Sequence, residues 1–248
     1  MRKMLILIFL PFAFSAQIVL PHQAGPPGQK QKIEDFRERY FGTNVSTFRN
    51  NVQVRISYYD VLTAIDRNSL GDDSKILLND ILAILNSPED ELLRSKYIND
   101  FPKTFAEFCR IFDPSNFKEL YDGSYVFLEM FDDILKERPR DTVGVLLGLS
   151  VNATYDADAP GNLQHILASF ICNNYDSFIS PFGKLARSGQ QNIITFVCDV
   201  ENFSAYAEFD CIIRVLKEKG NTELEKRFLA AKEERISFGP HGEKIKKR

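Results

Sequence analysis

Three histidines and four cysteines bound the nucleophilic and metal chemistry open to this 248-residue chain. His22 and His241 lie in Pro- and Gly-rich stretches near the two ends, which leaves His165 as the histidine of the body. A nucleophilic hydrolase needs its Ser or Cys within hydrogen-bond reach of a base that a third group orients. Cys172 follows His165 by seven residues, which places both on one side of a helix but two turns, about 10 Å, apart. That is too far for direct pairing. No G-x-S-x-G elbow occurs. His165 therefore reads first as a packed or half-exposed side chain, and it is the single catalytic candidate.

Metal sites are tested by spacing. Asp156-Ala-Asp158-Ala-Pro160-Gly161 alternates acids and carries glycine at the sixth place, like the opening of a calcium loop. Pro160 occupies the fifth place, however, and Leu167 the twelfth, where a bidentate Glu is required. The run from Asp66 to Gly71 fails in the same way, with Leu77 at the twelfth place. Both stretches read better as turns into helices, with acids capping free amides. Asp156 and Asp158 remain the metal candidates, and no metal or cofactor is expected. Helix-borne carboxylates for glycosidic work abound: Glu107, Glu119, Glu129, Asp132, Asp133, Glu201 and Glu208. Any 34 acids yield such pairs, so the pattern selects none. Gly144-x-x-x-Gly148 is explained by close helix approach.

Cys109, Cys172, Cys198 and Cys211 contain no C-x-x-C spacing, which removes a thioredoxin-like site and a zinc knuckle. In an oxidising compartment they could form two bridges in three pairings. Their apolar flanks suit buried, inert thiols equally well. Both readings stand.

The compartment is addressed by residues 1–15. Arg2-Lys3 precede an apolar run to Phe14, and Ala13 and Ser15 supply small residues at −3 and −1 for cleavage after Ser15. The run is short of the roughly 20 residues that span a bilayer. A secretory signal peptide is expected, giving a secreted or periplasmic product with no transmembrane segment after cleavage. Losing Arg2 and Lys3 removes two positive charges and takes the formal charge from −3 to −5. With that acidic balance, nucleic acid is not an expected partner, because displacing phosphate counterions calls for basic excess.

The elements that must position these residues are helices. Residues 16–31 form a tether punctuated by Pro21 and Gly25-Pro26-Pro27-Gly28. A helical domain then covers 32–236, and 237–248 form a basic tail. Tyr121, Tyr125, Leu128, Phe131 and Leu135 make one stripe at intervals of four and three, with Asp132, Asp133, Lys136 and Glu137 off it. Phe209, Ile212, Ile213 and Leu216 make another, stopped by Gly220. Ser87-Pro88, Asp113-Pro114, Asp141-Thr142, Ser180-Pro181 and Thr222-Glu223 read as helix starts. The expected helices lie near 31–41, 48–67, 73–86, 88–99, 103–112, 115–121, 123–138, 141–151, 161–174, 176–187, 190–200, 204–219 and 222–235. The one strand-like run, Val52-Gln-Val-Arg-Ile56, continues into a helical pattern and is read with it. The fold class is all-α.

Short loops make sequential helices antiparallel hairpins. The helix at 161–174 is apolar on one side and carries His165, Ala168 and Cys172 on the other, as an inner layer would. With Pro or Asp at helix starts and hairpins every 35 to 45 residues, positions 45–235 resemble the α-solenoids of the HEAT and armadillo type. An irregular helical bundle is the competing architecture. The resemblance implies a long groove of the kind that binds a protein or peptide, and hence a non-enzymatic, exported binding protein. A carboxylate- or His165-dependent hydrolase is the alternative. A structural module of an envelope assembly is the third reading, and would expose a large apolar patch.

Overall fold

The computed structural model describes residues 52–112, 120–155, 159–200 and 206–237, all within one compact unit that spans 47–248. The expected signal peptide, the tether, the helix near 31–41, most of that at 115–121, the Asp113-Pro114 start and the basic tail beyond Ser237 lie outside these residues. Eleven α-helices are described: α1 (Val52–Thr63), α2 (Asp72–Asn86), α3 (Glu91–Asp100), α4 (Phe105–Phe112), α5 (Ser124–Glu137), α6 (Pro139–Ser150), α7 (Ala159–Asn173), α8 (Tyr175–Gly183), α9 (Arg187–Cys198), α10 (Ala207–Glu218) and α11 (Thr222–Ser237). Two 3₁₀ turns sit at Arg67–Ser69 and Tyr121–Gly123. Among the described residues there is no strand, and 52–56 lie in α1. The protein is all-α.

Local signals explain most boundaries, and three need correction. Asp141-Thr142 does not start α6 but lies in the first turn of a helix that Pro139 begins. Ser87 does not start α3. Its N–H bonds back to Ala83 and Ile84, which makes it the end of α2, and Asp90 caps α3 by accepting from the Leu92 and Leu93 amides. Ser180-Pro181 does not start a helix either: Pro181 lies inside the last turn of α8, where it leaves the ladder one amide short, and the helix ends at Gly183. Pro139 takes the first position of α6, where its missing N–H costs nothing. Thr104 and Glu107 form a capping box, each accepting from the other's backbone amide at 3.2 Å. After α10, Gly220 has φ +68°. Asn221 N–H donates to Leu216 O at 2.9 Å and Gly220 N–H to Lys217 O at 3.0 Å, the two bonds of a glycine-terminated helix.

Packing centres on α5 and α7. The expected stripe Leu128, Phe131, Leu135 is buried, but so are Val126, Phe127, Met130 and Ile134, so α5 is enclosed well beyond one face. Helix α7 touches α5, α6, α8, α9 and α10, as a two-sided inner helix should. Its buried residues include Leu163, Leu167, Phe170 and Ile171 on one side and Ala168 on the other. Phenylalanine fills the space between α3, α4 and α5. Phe101 stacks on Phe131 at 4.7 Å and lies 5.4 Å from Tyr97, while Phe112 contacts Phe108 at 5.0 Å and Phe127 at 5.7 Å.

From α7 onward the arrangement becomes regular. His165 meets Glu208 and Cys172 meets Cys211, so residue numbers on α7 and α10 rise together and the two helices run in the same direction. Arg187 meets Glu223, Gln190 meets Arg227 and Asp199 meets Arg235, which makes α9 and α11 parallel too. These contacts join positions 36 to 43 residues apart.

Candidate functional site

The chemistry-bearing residues converge on the seam between α7 and α10. His165 is held on α7 by helix geometry alone, with its side chain 57% exposed, and its Nδ1 lies 3.2 Å from Glu208 Oε1 on α10. Tyr206, just before α10, packs edge-on to the imidazole at 5.7 Å between ring centres. Its hydroxyl is buried without a hydrogen-bond partner. Burial pushes that hydroxyl's pKa well up, and Glu208 and Cys198 add to the effect. Further along the seam, Cys172 and Cys211 form a disulfide that ties α7 to α10 across 39 residues of chain. Gln164, also on α7, donates to Phe196 O at 2.5 Å and Asp199 O at 3.0 Å, and so fixes the end of α9.

This arrangement gives the imidazole an orienting carboxylate, and the nucleophiles described beside it on α7 are engaged elsewhere. Cys172 is consumed in the disulfide. Ser169, one turn from His165, has its Oγ engaged by Asn173 Nδ2 at 3.2 Å. The cavity described, about 240 Å³ between the start of α2 and the end of α4, is lined by Gly71, Asp72, Asp73, Ser74, Arg110 and Ile111 and shares no residue with the seam.

The other candidates are dispersed. Asp156 and Asp158 lie outside the described residues, as do Glu119 and Glu201. Cys198 is buried, its Sγ 3.7 Å from Phe228 O, and burial raises its thiol to about 12, which keeps it protonated and inert. Cys109 is a half-buried thiol on α4. Glu107 is committed to its capping box, and the Lys103 backbone amide, donating at 2.8 Å, helps hold its carboxyl below the usual range. Glu129 accepts from Tyr58 OH. Asp132 pairs with Lys136 at 2.5 Å. Asp133 beside it is raised to about 7, first by burial and then by Asp132, against the opposing pull of Lys136 and Arg94. The Gly144-x-x-x-Gly148 pair divides. A Cβ at 148 would overlap the Lys103 carbonyl, whereas one at 144 meets nothing within 4 Å, so only Gly148 marks a close approach.

Several charged residues were not singled out from the sequence. Arg94 is wholly buried and donates through Nη2 to Glu137, while its Nε and Nη1 have no hydrogen-bond partner. Asp80, on α2, is buried against Lys96, which bridges it to Asp100 at 2.5 and 2.7 Å. The i,i+4 spacing of Lys96 and Asp100 signals half of that bridge. Nothing local signals Asp80. Among the described residues no three His, Cys, Asp or Glu side chains converge so as to hold a metal, and no helix is long and apolar enough to cross a membrane. The chain matches no protein-family model, no curated protein and no solved structure.

Proposed function

We propose that the chain is an exported, non-enzymatic helical protein that binds a protein or peptide along its stacked helices. The observation that carries this reading is the parallel pairing of α7 with α10 and of α9 with α11, through contacts 36 to 43 residues apart, because parallel stacking of helices builds the ridged surfaces that repeat proteins use for recognition. The basic-apolar-small layout of residues 1–15 and the Cys172–Cys211 bond both fit a route through an oxidising compartment. Fractionation of the exporting cell with site-specific photo-crosslinkers at the exposed Lys217 and Lys226 tests the reading. Cross-links to one defined polypeptide outside the cytosol are expected. A cytosolic, unprocessed chain with no cross-linked partner overturns it.

The His165–Glu208 contact favours one second reading, a His-dependent hydrolase. Hydrolytic turnover that His165→Ala abolishes without loss of folding would establish it in place of the first.

A further inference from the structure

We infer that the Cys172–Cys211 disulfide is an exchangeable bond with a defined polarity: an attacking thiolate takes Cys172, and Cys211 leaves. Both cysteines of the bond are half-buried residues, whereas Cys198 is buried. Their surroundings differ in charge. Cys211 sits in the first half of α10 with the Arg214 guanidinium one turn on, Nη2 donating to Cys211 Sγ at 3.3 Å. A cation in that position stabilises a departing thiolate, and a sulfur of lower thiol pKa leaves faster. Cys172 is the penultimate residue of α7, at the negative end of the helix dipole, where a thiolate is disfavoured. The acids near Cys211 are Glu208, which faces His165, and Asp210, exposed to solvent. Neither cancels the direct contact of Arg214.

The reductant is a dithiol. Its first thiolate forms a sulfur–sulfur bond to Cys172, the Cys172–Cys211 bond breaks, and the electron pair passes to Cys211 Sγ beside Arg214. The second thiolate then attacks the reductant's own sulfur in the mixed disulfide and expels the Cys172 thiolate, which takes a proton from water. The dithiol ends as a disulfide, two electrons poorer. Opening the bond leaves the α7–α10 seam held by packing and by the exposed His165–Glu208 contact, so the redox state sets how firmly α10 is fastened.

The test treats the full-length folded protein with glutathione, quenches with iodoacetamide and maps both cysteines. Glutathione on Cys172 and carbamidomethyl on Cys211 are expected. Arg214→Gln should slow reduction by dithiothreitol about threefold, and Arg214→Lys should restore most of the rate. Glutathione on Cys211 or shared equally, reduction only in denaturant, or an unchanged rate in Arg214→Gln each overturns the assignment.

Discussion

The regions on either side of the α6–α7 connection are built on different terms. In residues 52–150 the contacts cross: Arg94 meets Glu137 while Tyr97 meets Phe127, so α3 and α5 run in opposite directions. The space between them is closed by stacked aromatic rings and by the buried Arg94, while Asp80 on α2 is taken out of water against Lys96 of α3. In residues 159–237, α7 pairs with α10 and α9 with α11 in parallel while α10 and α11 run in opposite directions, and ion pairs such as Arg187 with Glu223, each 70% exposed, lie at the surface. There a covalent bond, Cys172–Cys211, stands where the other region uses buried ions. Regular stacking needs little beyond register and apolar faces. Irregular packing has to specify its crossings through residues that tolerate one arrangement only.

Breaking the buried pair is the sharpest way to test that difference. Arg94→Ala removes the guanidinium that meets Glu137 and empties the buried space it fills, and denaturant unfolding should show a loss of about 3–5 kcal/mol. Arg94→Met, which refills the volume without charge, should recover most of it. The same truncation in the other region, Arg187→Ala, should change stability by less than about 0.5 kcal/mol, because an exposed pair is screened. Equal losses at Arg94 and Arg187 would erase the distinction. Next in size is the cross-link. A Cys172→Ala/Cys211→Ala double variant should lose about 2–4 kcal/mol through the freedom regained by the unfolded chain. Hydrogen exchange should quicken in α10 while α3 and α5 keep their protection.

How much of this could be read from the sequence follows the same divide. The helices were legible because apolar stripes at intervals of three and four, such as Leu128, Phe131 and Leu135, are local and survive into the fold. The two-sided character of α7 was legible for the same reason. The enclosure of α5 was not. Asp132, Asp133, Lys136 and Glu137 look like a solvated face until Arg94, 43 residues before Glu137, is laid against it. Ser87 and Asp90 are both good caps with acids following, and only the turn that bonds Asp90 N–H to Ser87 O decides between them. His165 was visible as an isolated histidine. Its partner Glu208 and the choice of Cys211 for Cys172 depend on the register of α7 against α10, which no short-range pattern encodes.

A smaller effect sharpens the account of helix contacts. Gly148→Ala must push α6 away from the Lys103 carbonyl and should cost about 1–3 kcal/mol. Gly144→Ala meets open space on the same helix and should gain about 0.5–1 kcal/mol from helix propensity. Thermal melts of the two variants check the contrast. Shifts of the same sign would mean that neither glycine marks a helix contact.

A further expected effect is a slope with pH, and its sign follows from Asp133. Folded, its carboxyl is raised to about 7, whereas in the unfolded chain it returns toward 3.8. Between those values the folded state holds a proton that the unfolded state has released, so stability declines as pH rises through this window and levels off above it. Lowered groups act in the opposite sense: the Lys96 ammonium holds Asp100 down and backbone amides hold Glu107 down, so their contribution is lost only as pH falls further. Asp133→Asn removes the contribution of Asp133 and leaves those of the lowered groups and of Asp80 and Asp132, whose carboxyls burial also raises. Because Asp133 keeps partial access to solvent, the difference should be on the order of 1 kcal/mol between about pH 5 and about pH 7.5. Urea unfolding across that range should show the wild type losing ground that the variant keeps. Parallel curves would mean that the acids on α5 are as solvated as those between α9 and α11, and the contrast between crossed and parallel packing would then rest on Arg94 alone.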